Sequence, residues 1–243
     1  MRKYFGIDGV RGVANTDLTP EFTLKLGRIL GYQLTSLCER PKVLIGRDTR
    51  ISGELLESAL IAGLVSAGAN VLKLGVITTP GVAYLTQSLD VQAGIMISAS
   101  HNPVQDNGIK IFSHNGYKLS DEQENEIEAY LDAHDTLPRP IAGEIGRVQE
   151  FCRGAKQYVD YIESTISGRL NGLKVVLDCA NGASSALAPQ LFKELGAEVI
   201  AVSASSDGIN INEQCGSTHP EALAVEVVKQ GADLGFHRCS AIM

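Results

Sequence analysis

The chain has no tryptophan, only three methionines, and no run of eighteen apolar residues in its 243 positions. The last absence excludes a membrane-spanning helix of ordinary length. The opening residues, Met-Arg-Lys-Tyr-Phe-Gly, have no apolar signal core, so no secretory segment is expected. Its five cysteines (Cys38, Cys152, Cys179, Cys215, Cys239) are scattered and contain no CxxC pair. That spacing argues against structural zinc and a disulfide framework, and makes a reducing cytoplasm the expected location. A basic surplus is missing too: 21 Lys and Arg stand against 28 Asp and Glu, for a net charge of −7. No nucleic-acid partner is expected from such a balance. Heptads, tracts and low-complexity repeats are also absent, which excludes coiled-coil, collagen-like and disordered classes.

What remains is a composition suited to a globular α/β protein, 44% hydrophobic with 25 glycines. Apolar runs at Lys42–Gly46, Asn70–Leu74, Ala93–Ser98 and Ile109–Phe112 read as strands. Between them lie segments of helical period. One starts at Thr19-Pro20-Glu21, with Thr as N-cap, and carries Phe22, Leu26, Ile29, Leu30, Leu34 and Leu37 on one face. Another runs from Ser52 to a stop at Gly68, and a third opens after Ser120 on the acidic run Asp121–Glu126, where carboxylates complement the helix dipole. Past a loop-rich stretch at 137–146 the pattern returns: helix at 153–167, strand at 173–177, helix to Leu195, strand at 198–202. The spacing predicts two tandem three-layer α/β/α units with mixed, mostly parallel sheets. The boundaries are 1–145 and 146–243.

Four segments carry residues suited to chemistry. Ile97-Ser98-Ala99-Ser100-His101-Asn102-Pro103 follows a buried strand, and ligands bind beyond the carboxyl ends of parallel strands. There a serine hydroxyl is presented, and His101 and Asn102 can donate to an anion. An ordinary turn would use many of the same residue types. A Ser-His-Asp hydrolase is a poor reading, because His101 directly follows Ser100 and no G-x-S-x-G elbow surrounds it. Lys110, on the next strand, brings an ammonium that could balance phosphate charge or shuttle a proton. Phe5–Gly12 packs three glycines around Asp8 and Arg11, a pattern that lets backbone and guanidinium approach an anion. Gly46–Arg50 is a further strand-end cluster, read most simply as an ion-pair network capping the helix at Ser52. The remaining histidines suggest no metal constellation.

Taken in order, FGIDGVRG at 5–12, GRDTRISG at 46–53, TTP at 78–80, SASHNPVQDNGIK at 98–110 and LDCANGA at 177–183 resemble the α-D-phosphohexomutases. The likeness runs over essentially residues 1–235, and the opening motif looks most like the phosphoglucosamine branch. The resemblance implies that Ser100 is phosphorylated and acts as phosphoryl donor and acceptor. It implies that Arg11 contacts the phosphoserine region, that His101, Asn102 and Lys110 lie near the transferred phosphate, and that Lys110 is a candidate general acid/base. The implied cofactors are Mg2+, held partly through the Ser100 phosphate, and glucosamine 1,6-bisphosphate as activating intermediate. The implied partner is a small-molecule hexosamine phosphate, with a homodimer of the chain also allowed.

Two departures stand out. Ile7 replaces the family's usual threonine beside Arg11. After Gly235 the family continues into a loop whose three aspartates hold magnesium, whereas this chain reads Phe-His-Arg-Cys-Ser-Ala-Ile-Met. The expectation is therefore an N-terminal half, cut short at the metal loop and inactive alone. The alternatives are a phosphomannomutase or phosphoglucomutase, or a non-catalytic phosphate-binding fragment.

Overall fold

The computed structural model describes residues 3–6 and 9–237. Ile7, Asp8 and the last six residues, Cys239 and Ser240 among them, lie outside the described residues, and so does the threonine-to-isoleucine departure. The first elements are β1 (Phe5–Gly6), β2 (Gly9–Val13), α1 (Pro20–Thr35), β3 (Lys42–Arg47), α2 (Ser52–Ser66) and β4 (Asn70–Val76). Next come α3 (Thr79–Ser88), β5 (Ala93–Ile97), β6 (Asp106–Ser113), α4 (Asp121–Asp132), β7 (Val148–Glu150) and α5 (Gly154–Ser164). The chain then forms β8 (Lys174–Asp178), α6 (Ala188–Glu194), β9 (Glu198–Val202), α7 (Pro220–Gln230) and β10 (Leu234–His237).

Local chemistry explains the helix starts. Thr19 accepts the Phe22 amide at 3.2 Å, and Pro20 takes the first helical position, where its missing N–H costs nothing. Ser120 and Gln123 form a reciprocal capping box ahead of three acidic residues in the first turn of α4, satisfying two orphan donors. Leu37 belongs to the apolar stripe by spacing but lies past the end of α1 and is exposed.

The strands form a seven-stranded sheet in the order β1-β2-β6-β5-β3-β4-β7 and a three-stranded one in the order β10-β8-β9. In the first, β2, β3, β4, β5 and β7 run one way and β1 and β6 the other. The second is parallel throughout. Alternate side chains of the central strands sort into two cores, as the pleat requires. Val43, Ile45, Ile95 and Ile97 join the core with Leu26, Ile29, Leu60 and Ile127. Leu44 and Met96 join Leu85, Val82 and Tyr158 on the other side.

Phe5–Gly12, read from its glycines as an anion-approaching loop, is instead largely β-hairpin: β1 pairs with β2 and β2 with β6. Phe5 and Val10 are buried, and their burial fixes the segment as strand. Beyond residue 145, β7 pairs with β4, and α5 places Tyr158 and Val159 in the second core. In sheet terms, residues 146–164 therefore go with the first unit. Leu187, Leu191 and Leu195, around α6, enter that same core, so the two units share a hydrophobic layer.

Candidate active site

The parallel strands β3 and β5 are neighbours in the sheet, yet β3 leads through α2 to β4 on its other side. This is a topological switch point, where strand ends part and leave a crevice. Asp48 and Ser98 emerge there, and the Asp48 amide donates to Ile97 O at 3.0 Å. Every residue of β5 is buried, so the strand delivers the following loop to a fixed place.

Ser100 takes a left-handed backbone with φ 57° and is only 6% exposed. A serine in that region costs about 1–2 kcal/mol unless its neighbours hold it. Ser98 Oγ accepts the Ser100 amide at 3.1 Å and donates to Asp48 Oδ2 at 2.7 Å. Arg50 spans the turn from within the same buried network. Its Nε donates to Asp48 Oδ2 at 3.1 Å, its Nη1 to Pro103 O at 2.6 Å, and its Nη2 to Ser100 O and Asn102 O at 3.0 and 2.9 Å. Asp48 and Arg50 are both fully buried. Such a pair holds geometry well, because removing either partner strands a charge away from water.

Register places the other candidates. Arg11 lies opposite Gly108, and Lys110 opposite Met96. Directly paired residues share a face and so do residues two apart, which puts Arg11 and Lys110 on one face of the sheet. A Cβ on Gly108 would meet Arg11 Cγ at 3.0 Å, so the bare glycine lets the arginine stem lie across β6. His101 is exposed. It lines an open cavity of about 430 Å³ with Val104 and Gln105 from its own loop and Ile211, Glu213 and His219 from the second unit. Asn102 Nδ2 donates to Asp106 Oδ2 at 2.8 Å, which ties its amide into the loop rather than toward a ligand.

The second unit builds a parallel device. Asp178, at the end of β8, accepts the Ala180 amide at 2.9 Å and the Gly216 amide at 2.7 Å. Its turn meets the first unit directly. Thr49 Oγ1 donates to Asn181 O at 2.6 Å, and the Ile51 amide to Gly208 O at 2.9 Å. Asn212 Nδ2 reaches Ser100 O at 2.9 Å and Asn102 O at 3.1 Å. Burial pushes the Cys215 thiol up, with a Ser203 hydrogen bond opposing it, so this cysteine is an inert part of the turn.

The site residues missed by sequence reasoning are Asp48, Arg50, Ser98 and Asn212. GRDTR was noticed as an ion-pair network at the start of the Ser52 helix, and Arg47 does pair there with Glu54 at 3.0 Å and Glu57 at 3.6 Å. No side chain caps α2, and Ser52 Oγ accepts from Asn107 Nδ2 at 2.9 Å. Nothing local marks the grip of Arg50 and Asn212 on the Ser100 loop, since the carbonyls they reach there lie 50 or more positions away in the chain.

The described residues do not fit magnesium. Among the described residues, no group of three or more His, Cys, Asp or Glu could hold a metal ion. Asp48 and Asp178 have their oxygens occupied by internal donors, and no Asp or Glu follows Asp233. Magnesium prefers hard oxygen ligands in near-octahedral geometry, and the residues present do not supply them. Among the described residues, no helix is long and apolar enough to cross a membrane.

Comparison with known proteins bears on this arrangement. Residues 2–137 match a family described as phosphoglucomutase/phosphomannomutase, alpha/beta/alpha domain I. A phosphoglucosamine mutase from Brevibacillus brevis is 61% identical over 251 aligned positions, covering all of this chain and 56% of that protein. One from Geobacillus thermodenitrificans is 62% identical over 237 positions, 97% of this chain and 53% of its own length. Among solved structures, a phosphoglucomutase/phosphomannomutase family protein from Burkholderia thailandensis superposes with a TM-score of 0.81 at 28% identity. That likeness covers 96% of this chain and 51% of the other. The chain spans about half the length of the curated relatives it matches.

Proposed function

Because this chain belongs to the phosphoglucomutase/phosphomannomutase family, whose domain I description matches residues 2–137, we propose that it is the phosphoserine-bearing part of a phosphoglucosamine mutase. Ser100 is the phosphoryl carrier in this reading. A phosphate on its Oγ passes to the free hydroxyl of glucosamine 6-phosphate or glucosamine 1-phosphate, and the serine recovers a phosphoryl from the other end of glucosamine 1,6-bisphosphate. The observation that carries the reading is the Ser100 turn itself, held left-handed at the carboxyl end of a buried strand at the switch point. The name of relatives about 60% identical over nearly the whole chain supports glucosamine phosphates as the substrate in this reading.

A phosphoserine brings about −1.5 to −2 charge. Arg11 and Lys110, on one face of the sheet beside the loop, are the cations assigned to balance it, with His101 at its exposed side. Lys110 also serves as general acid/base for the sugar hydroxyl. Asn102 is assigned to loop shape. No step is routed through magnesium, since the residues present do not fit it. Cytoplasmic location and a homodimer belong to the same proposal.

A non-catalytic phosphate binder is the second reading proposed for these 243 residues taken by themselves. One experiment addresses both. The chain is incubated with glucosamine 1,6-bisphosphate, magnesium and glucosamine 6-phosphate, followed by intact mass, peptide mapping and a coupled assay. An added mass of about 80 Da on Ser100, lost in Ser100→Ala, supports the carrier role. Phosphate found on another residue with Ser100 bare refutes it. Measurable glucosamine 1-phosphate, absent from Ser100→Ala, removes the second reading.

A further inference from the structure

We propose that Asn212, contributed by the second unit, is a positioning residue for Ser100. Two carbonyl oxygens define the turn, those of Ser100 and Asn102. Arg50 Nη2 donates to both, at 3.0 and 2.9 Å, from inside the first unit. Asn212 Nδ2 donates to both again, at 2.9 and 3.1 Å, from outside it. Each carbonyl therefore has both of its acceptor sites engaged, and a serine that would otherwise leave the left-handed region is held there. Asn212 is itself left-handed, φ 60°, a conformation asparagine tolerates.

Its own support runs back into the second sheet. The Asn212 amide donates to Ala180 O at 2.9 Å, and the Ala180 amide donates to Asp178, the last residue of β8. A continuous set of hydrogen bonds thus links the end of β8 to the Ser100 turn. The donor from the second unit is neutral, so it fixes the turn without adding positive charge beside a phosphate. Seating of the second unit on the first thereby sets the geometry of the nucleophile. The catalytic consequence rests on the reading of Ser100 as phosphoryl carrier; the hydrogen-bonding role does not.

Hydrogen–deuterium exchange on the 243-residue chain tests this. Asn212→Gly keeps the left-handed backbone available and removes the carboxamide that donates to the two carbonyls. Exchange across residues 98–106 is expected to rise about tenfold while Lys174–Asp178 stays within about twofold of the parent. Asn212→Asp keeps the shape but turns a carboxylate toward two carbonyls at neutral pH, loosening the loop by a similar factor. On acidification the protonated carboxyl regains an O–H donor, so the exchange ratio to the parent returns toward one; a merely space-filling residue would show no such return. Unchanged loop exchange in Asn212→Gly, equal loosening of β8, or a pH-independent ratio in Asn212→Asp overturns the proposal. Any of these removes the clamp and leaves the carrier reading intact. A Ser100 that never accepts phosphate removes the carrier and leaves the clamp.

Discussion

Both units end a central parallel strand in a buried aspartate that accepts the amide two residues on: Asp48 takes Arg50 N, and Asp178 takes Ala180 N. They differ in what meets the other oxygen. In the first unit it is a buried guanidinium and the Ser98 hydroxyl; in the second it is a backbone amide. The surroundings differ in the same direction. β5 is buried along its whole length, whereas β10 is exposed along its whole length and β9 has only exposed and half-buried residues. One local turn, placed in two environments, therefore acquires two jobs. In the first unit it anchors a charged network that shapes the Ser100 loop; in the second it props Asn212 against that loop.

The sharpest way to break this comparison is to neutralise both aspartates. Asp48→Asn leaves the fully buried Arg50 without a counter-charge and is expected to cost about 3–5 kcal/mol. Asp178→Asn keeps one acceptor oxygen and loses one bond donated by a backbone amide, a cost of about 1.5–3 kcal/mol. Urea unfolding of the two variants reads both, with unchanged slopes as the check on two-state behaviour. Equal costs would mean that the guanidinium adds nothing to the shared turn.

Glycines probe packing in the same paired way. At Gly63 a Cβ would sit 2.1 Å from Leu24 O and 2.7 Å from Arg28 N, where α2 crosses α1. Gly63→Ala should cost about 1–3 kcal/mol, because two helix backbones have to separate. Gly231, the left-handed residue ending α7, has open space around it. Gly231→Ala there meets only its φ penalty of about 1 kcal/mol. Thermal melts in which Gly231→Ala is the worse variant would show that burial does not separate the units as described.

The smallest effect expected is a pH slope. Burial raises the Glu57 carboxyl above its ordinary range, against the pull of Lys73 and Arg47. The folded state therefore holds that proton more tightly than the unfolded chain. Stability from this group is present at low pH and falls as pH rises through and above the usual carboxylate range. Glu57→Gln should remove that slope between about pH 4 and 7. Glu198→Gln, at an exposed position 3.3 Å from Lys174, should change stability by less than about 1 kcal/mol. Melting temperatures that fall with pH equally in wild type and Glu57→Gln would assign the slope to other groups.

Much of the first unit was legible before any coordinates. The apolar stretches within Lys42–Gly46 and Ala93–Ser98 are readable because their strands are buried on both faces, Asn70–Leu74 keeps only Val71 and Leu74 buried, and the caps at Thr19 and Ser120 declare themselves by residue type. The pairing of β1 with β2 was hidden by the glycines, and among the described residues of the stretch Phe5 and Val10 are the buried apolar ones. The exposed strand β10 gave no pattern to read for the opposite reason: a strand without a buried face has no alternation. Ser100 stood out as a candidate because it follows a readable strand. Asn102 stood out with it, but sequence order could not show that its amide donates to Asp106.

Chain order and residue type by themselves determined the α/β class, the strand-helix alternation and the placing of a serine hydroxyl beyond a buried strand. Each depends on periodicity or on a cap spanning a few residues. Only the tertiary structure decided that Arg50 and Asn212 grip the same two carbonyls, that Arg11 and Lys110 share a face, and that the described residues gather no set of carboxylates fit for magnesium. Those outcomes depend on contacts between residues many tens of positions apart. Their energy comes from water excluded by folding, which no local stretch of sequence records.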